Sequence, residues 1–203
     1  MAAKEVKETN SANAEKLKAL QMTIEHLVTH SGGFHADEVF SSVILTRLYP
    51  LAKLVRSRSP QWITAGPDRV IYDVGGAYDA AAGIFDHHQR GAPLRPDGQP
   101  YSSFGLIWHH FGRAYLEASN VPAEDVETLH AAFDASFVLP IDQVDNGAVS
   151  LSDAGPLASM TLPDLIETLK PVFDSTDPAA EEAGFHLALS IARSFTEARS
   201  EEH

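Results

Sequence analysis

The sequence predicts an α/β domain built around a mostly parallel sheet, and three observations carry that prediction. Short apolar runs alternate along the chain with segments whose apolar residues recur at helical spacing. The runs are continuous rather than alternating apolar and polar, as suits strands covered on both faces. Acidic and imidazole residues recur where those runs end, the edge at which open α/β sheets bind their ligands.

Residues 1–21 hold four lysines, three glutamates and only Val6, Leu17 and Leu20 as large apolar residues. They read as an extension: an exposed helix, an oligomerisation arm or an added segment. The segment Glu25–Thr29 is the first strand candidate and runs into Ser31-Gly32-Gly33. A helix is expected over 36–49, where Val39, Phe40, Val43, Ile44 and Leu48 share a face and Pro50 ends the run. Strands are expected at 53–58, 69–74 and 84–85. A helix follows at about 103–118, then another at about 123–139 that reaches Ile141–Asn146. The polar segment 148–163 reads as a linker, followed by helices at about 163–173 and 178–200. The last of these looks like a connector as much as a core element. The expected organisation is an extension (1–21), a main α/β domain (22–175) and a C-terminal connector helix (176–203).

Composition narrows the function. The chain has 203 residues, 44% of them hydrophobic and 21% charged, which suits a globular fold. No apolar run approaches the ~20 residues of a membrane helix, and no secretory signal pattern is found in the first twenty residues. A net charge of −13 disfavours coating nucleic acid, which needs clustered basic residues. It leaves room for an enzyme acting on a phosphate ester with the help of cations. The absence of cysteine excludes thiolate metal sites and disulfides, and a cytoplasmic location is expected. Ten histidines, however, offer imidazole ligands.

Their positions point to a metal centre. His30, His35 and Asp37 surround the first strand-to-helix turn, Asp73 ends the third strand, and Asp86-His87-His88 ends the fourth. Carboxylate oxygens suit hard divalent cations, and imidazole shifts preference toward Mn, Fe or Co. Asp73, the lone acid at its strand end, is the candidate bridge between two ions. Ions so held make water a nucleophile at neutral pH and stabilise a leaving oxygen, which suits hydrolysis of a phosphate ester or anhydride. Isolated His26, His130 and His186 are expected to be structural, as are His109 and His110. Phe104, Trp108 and Phe111 have the helical spacing of core residues. Asp142 and Asp145 lie one helical turn apart, Asp145 as ligand and Asp142 as support. Arg90 and Arg95, in the proline-rich loop 89–102, are candidates to hold a substrate phosphate; Arg56 and Arg58 share that reading or are simply solvated.

Asp86-His87-His88 is the signature of the DHH phosphoesterase superfamily. The ordered set THSGGFHADE (29–38), YDVGG (72–76), FDHHQ (85–89), SSFGLIW (102–108) and IDQVDNG (141–147) closely resembles the MYG1 (UPF0160) family within it. The resemblance implies a DHH-type three-layer α/β domain with a di-manganese site, Mg, Fe or Co being alternatives. It implies phosphodiester hydrolysis, with 3′→5′ exonuclease action on RNA as the activity associated with eukaryotic members; a short oligoribonucleotide is the favoured substrate here. Carried over by position, one metal takes His30, His35 and Asp73, and the second takes Asp37, Asp73, His87 and Asp145. His88 then contacts the scissile phosphate, and Asp86 orients an imidazole. Many DHH enzymes carry an aspartate one residue closer to the first histidine than His35 stands here. They also carry a C-terminal substrate domain, expected to be absent or reduced in this chain, which makes a homodimer attractive. The alternatives are a hydrolase of nucleotides or pyrophosphate using the same centre, or a metal-retaining binding or regulatory module.

Overall fold

The computed structural model describes residues 24–172, 175 and 177–201; the extension assigned to 1–21 lies outside them. The strands are β1 (His26–Thr29), β2 (Lys53–Arg56), β3 (Arg69–Tyr72), β4 (Tyr78–Asp79) and β5 (Ile84–Phe85). They form one sheet in the order β2-β1-β3-β5-β4, all pairs parallel except β4 with β5. The helices are α1 (Ala36–Leu48), α2 (Pro60–Ile63), α3 (Ser103–Ala118), α4 (Val126–Phe133), α5 (Leu139–Asp145), α6 (Leu162–Thr168) and α7 (Pro178–Glu201). Among the described residues no helix is long and apolar enough to cross a membrane.

The two sheet faces are unequal. Leu27, Val70, Tyr72 and Phe85 point into the main core, which α1, α3, α4 and α7 complete. Val28 and Ile71, their neighbours along the same strands, face the smaller cluster closed by Trp62 and Ile63 of α2. Strands buried on both faces explain why their sequences carry no alternation. Helix α1 is enclosed along most of its length, with Val39, Phe40, Ile44 and Leu45 at 0% exposure. It packs against α3 on one side and α7 on another. Phe185, Ala188, Leu189 and Ala192 of α7 are buried there, so the final helix is a core element. Trp108 stacks with both His130, at 5.1 Å, and Phe133, at 4.5 Å.

Several further elements differ from the sequence-based reading, which contained neither α2 nor β4. The segment 148–163, read as a linker, is a run of tight 3₁₀ turns over Leu151–Met160. Helix α6 is shorter than expected and stops at Thr168. The helix expected at 123–139 is interrupted by one π turn over Asp134–Val138 before α5 continues. Pro140 accounts for the break: it has no N–H for the Ser136 carbonyl, and its ring crowds that group in a regular helix.

Candidate metal centre

Strands β1, β3 and β5 are adjacent, and each delivers a metal-binding residue type just past its C-terminal end. His30 follows β1, Asp73 follows β3, and Asp86-His87-His88 follows β5. The chain leaves β1 toward β2 on one side, while β3 lies on the other, so His30 and Asp73 flank the point where strand order reverses.

Asp73 has a left-handed backbone, φ 56°, at the end of β3. Aspartate is one of the few side chains that tolerates this conformation, and the turn breaks the strand's alternation so that the carboxylate enters the site. Asp73 Oδ2 lies 3.1 Å from His30 Nε2, and Oδ1 lies 3.3 Å from His87 Nε2. One carboxylate therefore faces two imidazoles from different strands. Around His87 Nε2 stand Asp145 Oδ2 at 3.3 Å and Asp37 Oδ2 at 3.8 Å. On the other side, Glu38 Oε1 is 3.2 Å from His30 Nε2. His35 is exposed at the start of α1, with its ring within reach of the His30–Glu38 group.

Electrostatics show which charge this cluster would accept. Asp37 is 1% exposed, and neither of its oxygens has a hydrogen-bond partner among the described residues. Asp73 Oδ1 and His87 Nε2 are also buried and, although 3.3 Å apart, make no hydrogen bond of good geometry among the described residues. Burial, with the charges of Asp73, Asp145 and Glu38 nearby, pushes the Asp37 carboxyl well above its ordinary range. Burial likewise raises Asp145. Against its burial, ion pairs with Asp73 and Glu38 push His30 up to about 10. Asp73 falls to about 2 in spite of its burial, because His30 and His87 hold it ionised. Buried polar groups without partners are costly. Ionised, Asp37, Glu38, Asp73 and Asp145 carry four negative charges, which two divalent cations would cancel. The donor set, carboxylate oxygens with imidazole nitrogens and no thiolate, fits Mn, Fe or Co.

Asp86 sits behind the cluster. Its carboxylate accepts from Gly76 N (2.6 Å), His87 N (2.8 Å), His88 N (3.2 Å) and His88 Nδ1 (2.7 Å). It thus joins the turn after β3 to the two histidines after β5, and it turns His88 Nε2 outward. The His88 side chain is 62% exposed and lines an open cavity of about 570 Å³ with His30, His35, Asp73, His87, Asp145, Asn146, Arg58 and Glu167.

The candidate arginines are placed differently from expectation. Arg95 is not available to a substrate phosphate, because its guanidinium is buried and paired with Asp134 and Asp142. Arg90 is exposed at the start of its loop and does not line the cavity. Arg56 lies against the rings of Phe34 and Phe185 and donates to the Gly32 carbonyl. Arg58 is the arginine at the cavity wall. Glu38 is the residue that sequence reasoning left out. Its position three residues after His35, at the start of a helix, marks a capping carboxylate, and both its oxygens accept from His35 N at 2.9 and 2.8 Å. The same placement brings it to His30. Asp142 is fully buried and accepts from Ser102 Oγ and Gly105 N, whereas Asp145 reaches the cluster.

The family model described as "Uncharacterised protein family (UPF0160)", MYG1_exonuc, matches residues 26–202. The chain belongs to the MYG1 family. A MYG1 protein of Schizosaccharomyces pombe is 40% identical over 162 residues, covering 73% of this chain and 49% of the relative. The MYG1 exonuclease of Bos taurus is 32% identical over 197 residues, covering 90% of this chain and 51% of the relative. The human MYG1 exonuclease is 33% identical over 180 residues, covering 81% and 47%. The chain spans about half the length of these curated MYG1 relatives. No solved structure matches the chain. The matched MYG1 segment contains every residue of the cluster, from His30 to Asp145.

Proposed function

We propose that this chain is a metal-dependent phosphodiester hydrolase of the DHH type, acting as a 3′→5′ exonuclease on short oligoribonucleotides. The observation that carries the reading is Asp73, a buried carboxylate held between two imidazoles, beside the Asp37 carboxylate, whose two oxygens have no hydrogen-bond partner among the described residues. His30, Glu38, His35 and Asp73 would hold one divalent ion, and Asp37, Asp73, His87 and Asp145 a second, with manganese favoured by the mixed donors. Such ions supply positive charge to phosphate oxygens and make water acidic enough to attack at neutral pH. The relatives named exonucleases support a nuclease reading.

The chain's own residues have separate tasks. Asp86 takes the Nδ1–H of His88 and fixes the ring; as the imidazolium, His88 would pass its Nε2 proton to the leaving ester oxygen as the oxygen of water bonds to phosphorus and the P–O ester bond breaks. Arg58, at the cavity wall, binds a non-bridging phosphate oxygen of the substrate. A single arginine at the cavity among the described residues and a net charge of −13 favour a short strand over a long one.

The test is elemental analysis beside hydrolysis of 5′-labelled RNA oligomers. The wild type should carry about two ions and shorten the oligomers from the 3′ end. Asp73→Ala should lose both metal and activity, and His88→Ala should lose activity with metal retained. Two bound ions with no turnover of oligonucleotides, dinucleotides, nucleotides or pyrophosphate would replace this reading with a regulatory one.

A further inference from the structure

Arg95 stands in the middle of the loop that follows Asp86-His87-His88, yet its side chain is only 7% exposed. Its Nε and Nη2 donate to Asp142 Oδ2 at 2.9 and 2.6 Å, and Nη1 and Nη2 donate to Asp134 at 2.7 and 3.1 Å. The Tyr101 ring lies against the guanidinium, 4.6 Å away. The other Asp142 oxygen accepts from Ser102 Oγ at 2.7 Å and Gly105 N at 3.0 Å, at the start of α3. Gly105 permits that approach, since a methyl group there would overlap the Asp142 carboxylate. Next along α5, Gln143 Nε2 donates to Gln99 Oε1 of the same loop.

The helix is shaped for this grip. Residues eight apart on a regular α-helix stand about 80° apart around its axis. The π turn at Asp134–Val138 absorbs an extra residue, reducing the angle to about 20°. Asp134 and Asp142 thereby meet one guanidinium. One turn beyond Asp142, Asp145 reaches His87.

We propose that Arg95 is a positioning residue that straps the loop after His87-His88 to the helix carrying Asp145, and so holds Asp145 against His87 for the second ion. This rests on the metal reading above. Loss of a residue that orients a metal ligand commonly weakens the metal by 10–100-fold.

The experiment is Mn²⁺ titration of the metal-stripped chain, followed by calorimetry and by the electron paramagnetic resonance of free Mn²⁺, with a thermal melt of each variant. In Arg95→Met one ion should keep its wild-type affinity and the other should weaken at least tenfold. Arg95→Lys should recover part of that loss, because its ammonium still reaches Asp142. Asp134→Asn, which leaves the Arg95–Asp142 pair intact, should show a smaller loss at the same ion. Unchanged binding in Arg95→Met, or equal weakening of both ions in step with lower melting temperature, overturns the proposal. If Arg95→Met does not fold, wild-type affinities for both ions in Asp134→Asn overturn it instead. A wild type that binds no Mn²⁺ fails the metal reading itself, whereas two ions and an unselective loss fail the positioning role alone.

Discussion

Replacing Asp37 with asparagine should stabilise the metal-free protein while impairing its metal binding. Asp37 is 1% exposed, both oxygens lack hydrogen-bond partners among the described residues, and Asp73, Asp145 and Glu38 surround it with like charge. An asparagine of the same shape has no charge to bury, and its amide can donate to those carboxylates. Relieving an unpaired buried group is worth about 1–3 kcal/mol. A gain near the middle, about 2 kcal/mol, raises the melting temperature of a chain this size by roughly 4–8 °C. The sign with pH follows from the raised carboxyl. Its contribution to metal-free stability is fully present below the ordinary value of 3.8 and is lost as pH rises through the folded value. The advantage of Asp37→Asn should therefore be small in acid and grow toward neutral pH. Saturating Mn²⁺ should reverse the order, since each ion bound at 100 times its Kd adds about 2.7 kcal/mol and the variant forfeits part of this. Differential scanning calorimetry in EDTA and then in Mn²⁺, at two pH values, measures all of it. A variant that melts at or below wild type in EDTA at neutral pH would refute the claim that this carboxylate is a destabilised, cation-seeking group.

Other consequences can be checked in parallel. Metal-free stability measured by urea unfolding should decline between pH 6.5 and about 10, because His30, raised to about 10, stabilises fully below 6.5 and ceases to as it deprotonates. Adding metal should remove that decline, since binding requires deprotonated imidazole. Glu38→Gln should cost about 1 kcal/mol through the weakened cap of α1 and should also weaken the ion beside His30, read by urea unfolding and Mn²⁺ titration. Gly105→Ala should destabilise by about 1–3 kcal/mol, because the methyl displaces the Asp142 carboxylate; unchanged unfolding would refute that packing. Trp108→Ala should cost about 3–5 kcal/mol in the same assay without altering metal stoichiometry, as its stack with His130 and Phe133 lies away from the cavity.

The sequence by itself determined the architecture and the places where chemistry gathers. Helical spacing marked α3 because it buries a broad apolar face, whereas α1 carried the same apolar recurrence although it is buried on nearly every side. Continuous apolar runs marked β1, β3 and β5 because both faces of those strands are covered. Histidine and aspartate just after each run could be placed at one sheet edge, because parallel strands end on the same side. Where the local signal was weak, tertiary contact decided. Strand β4 is two residues long and exists through its pairing with β5. The π turn follows from Pro140, but its use, aligning Asp134 with Asp142, appears only when Arg95 is present between them. An arginine in a proline-rich loop has the same local sequence whether it meets a phosphate or two buried carboxylates. Glu38 likewise reads locally as a helix cap, and only the approach of β1 to α1 makes it a neighbour of His30. Spacing along the chain encodes periodicity and caps, whereas the partner of a long charged side chain is set by segments dozens of residues away.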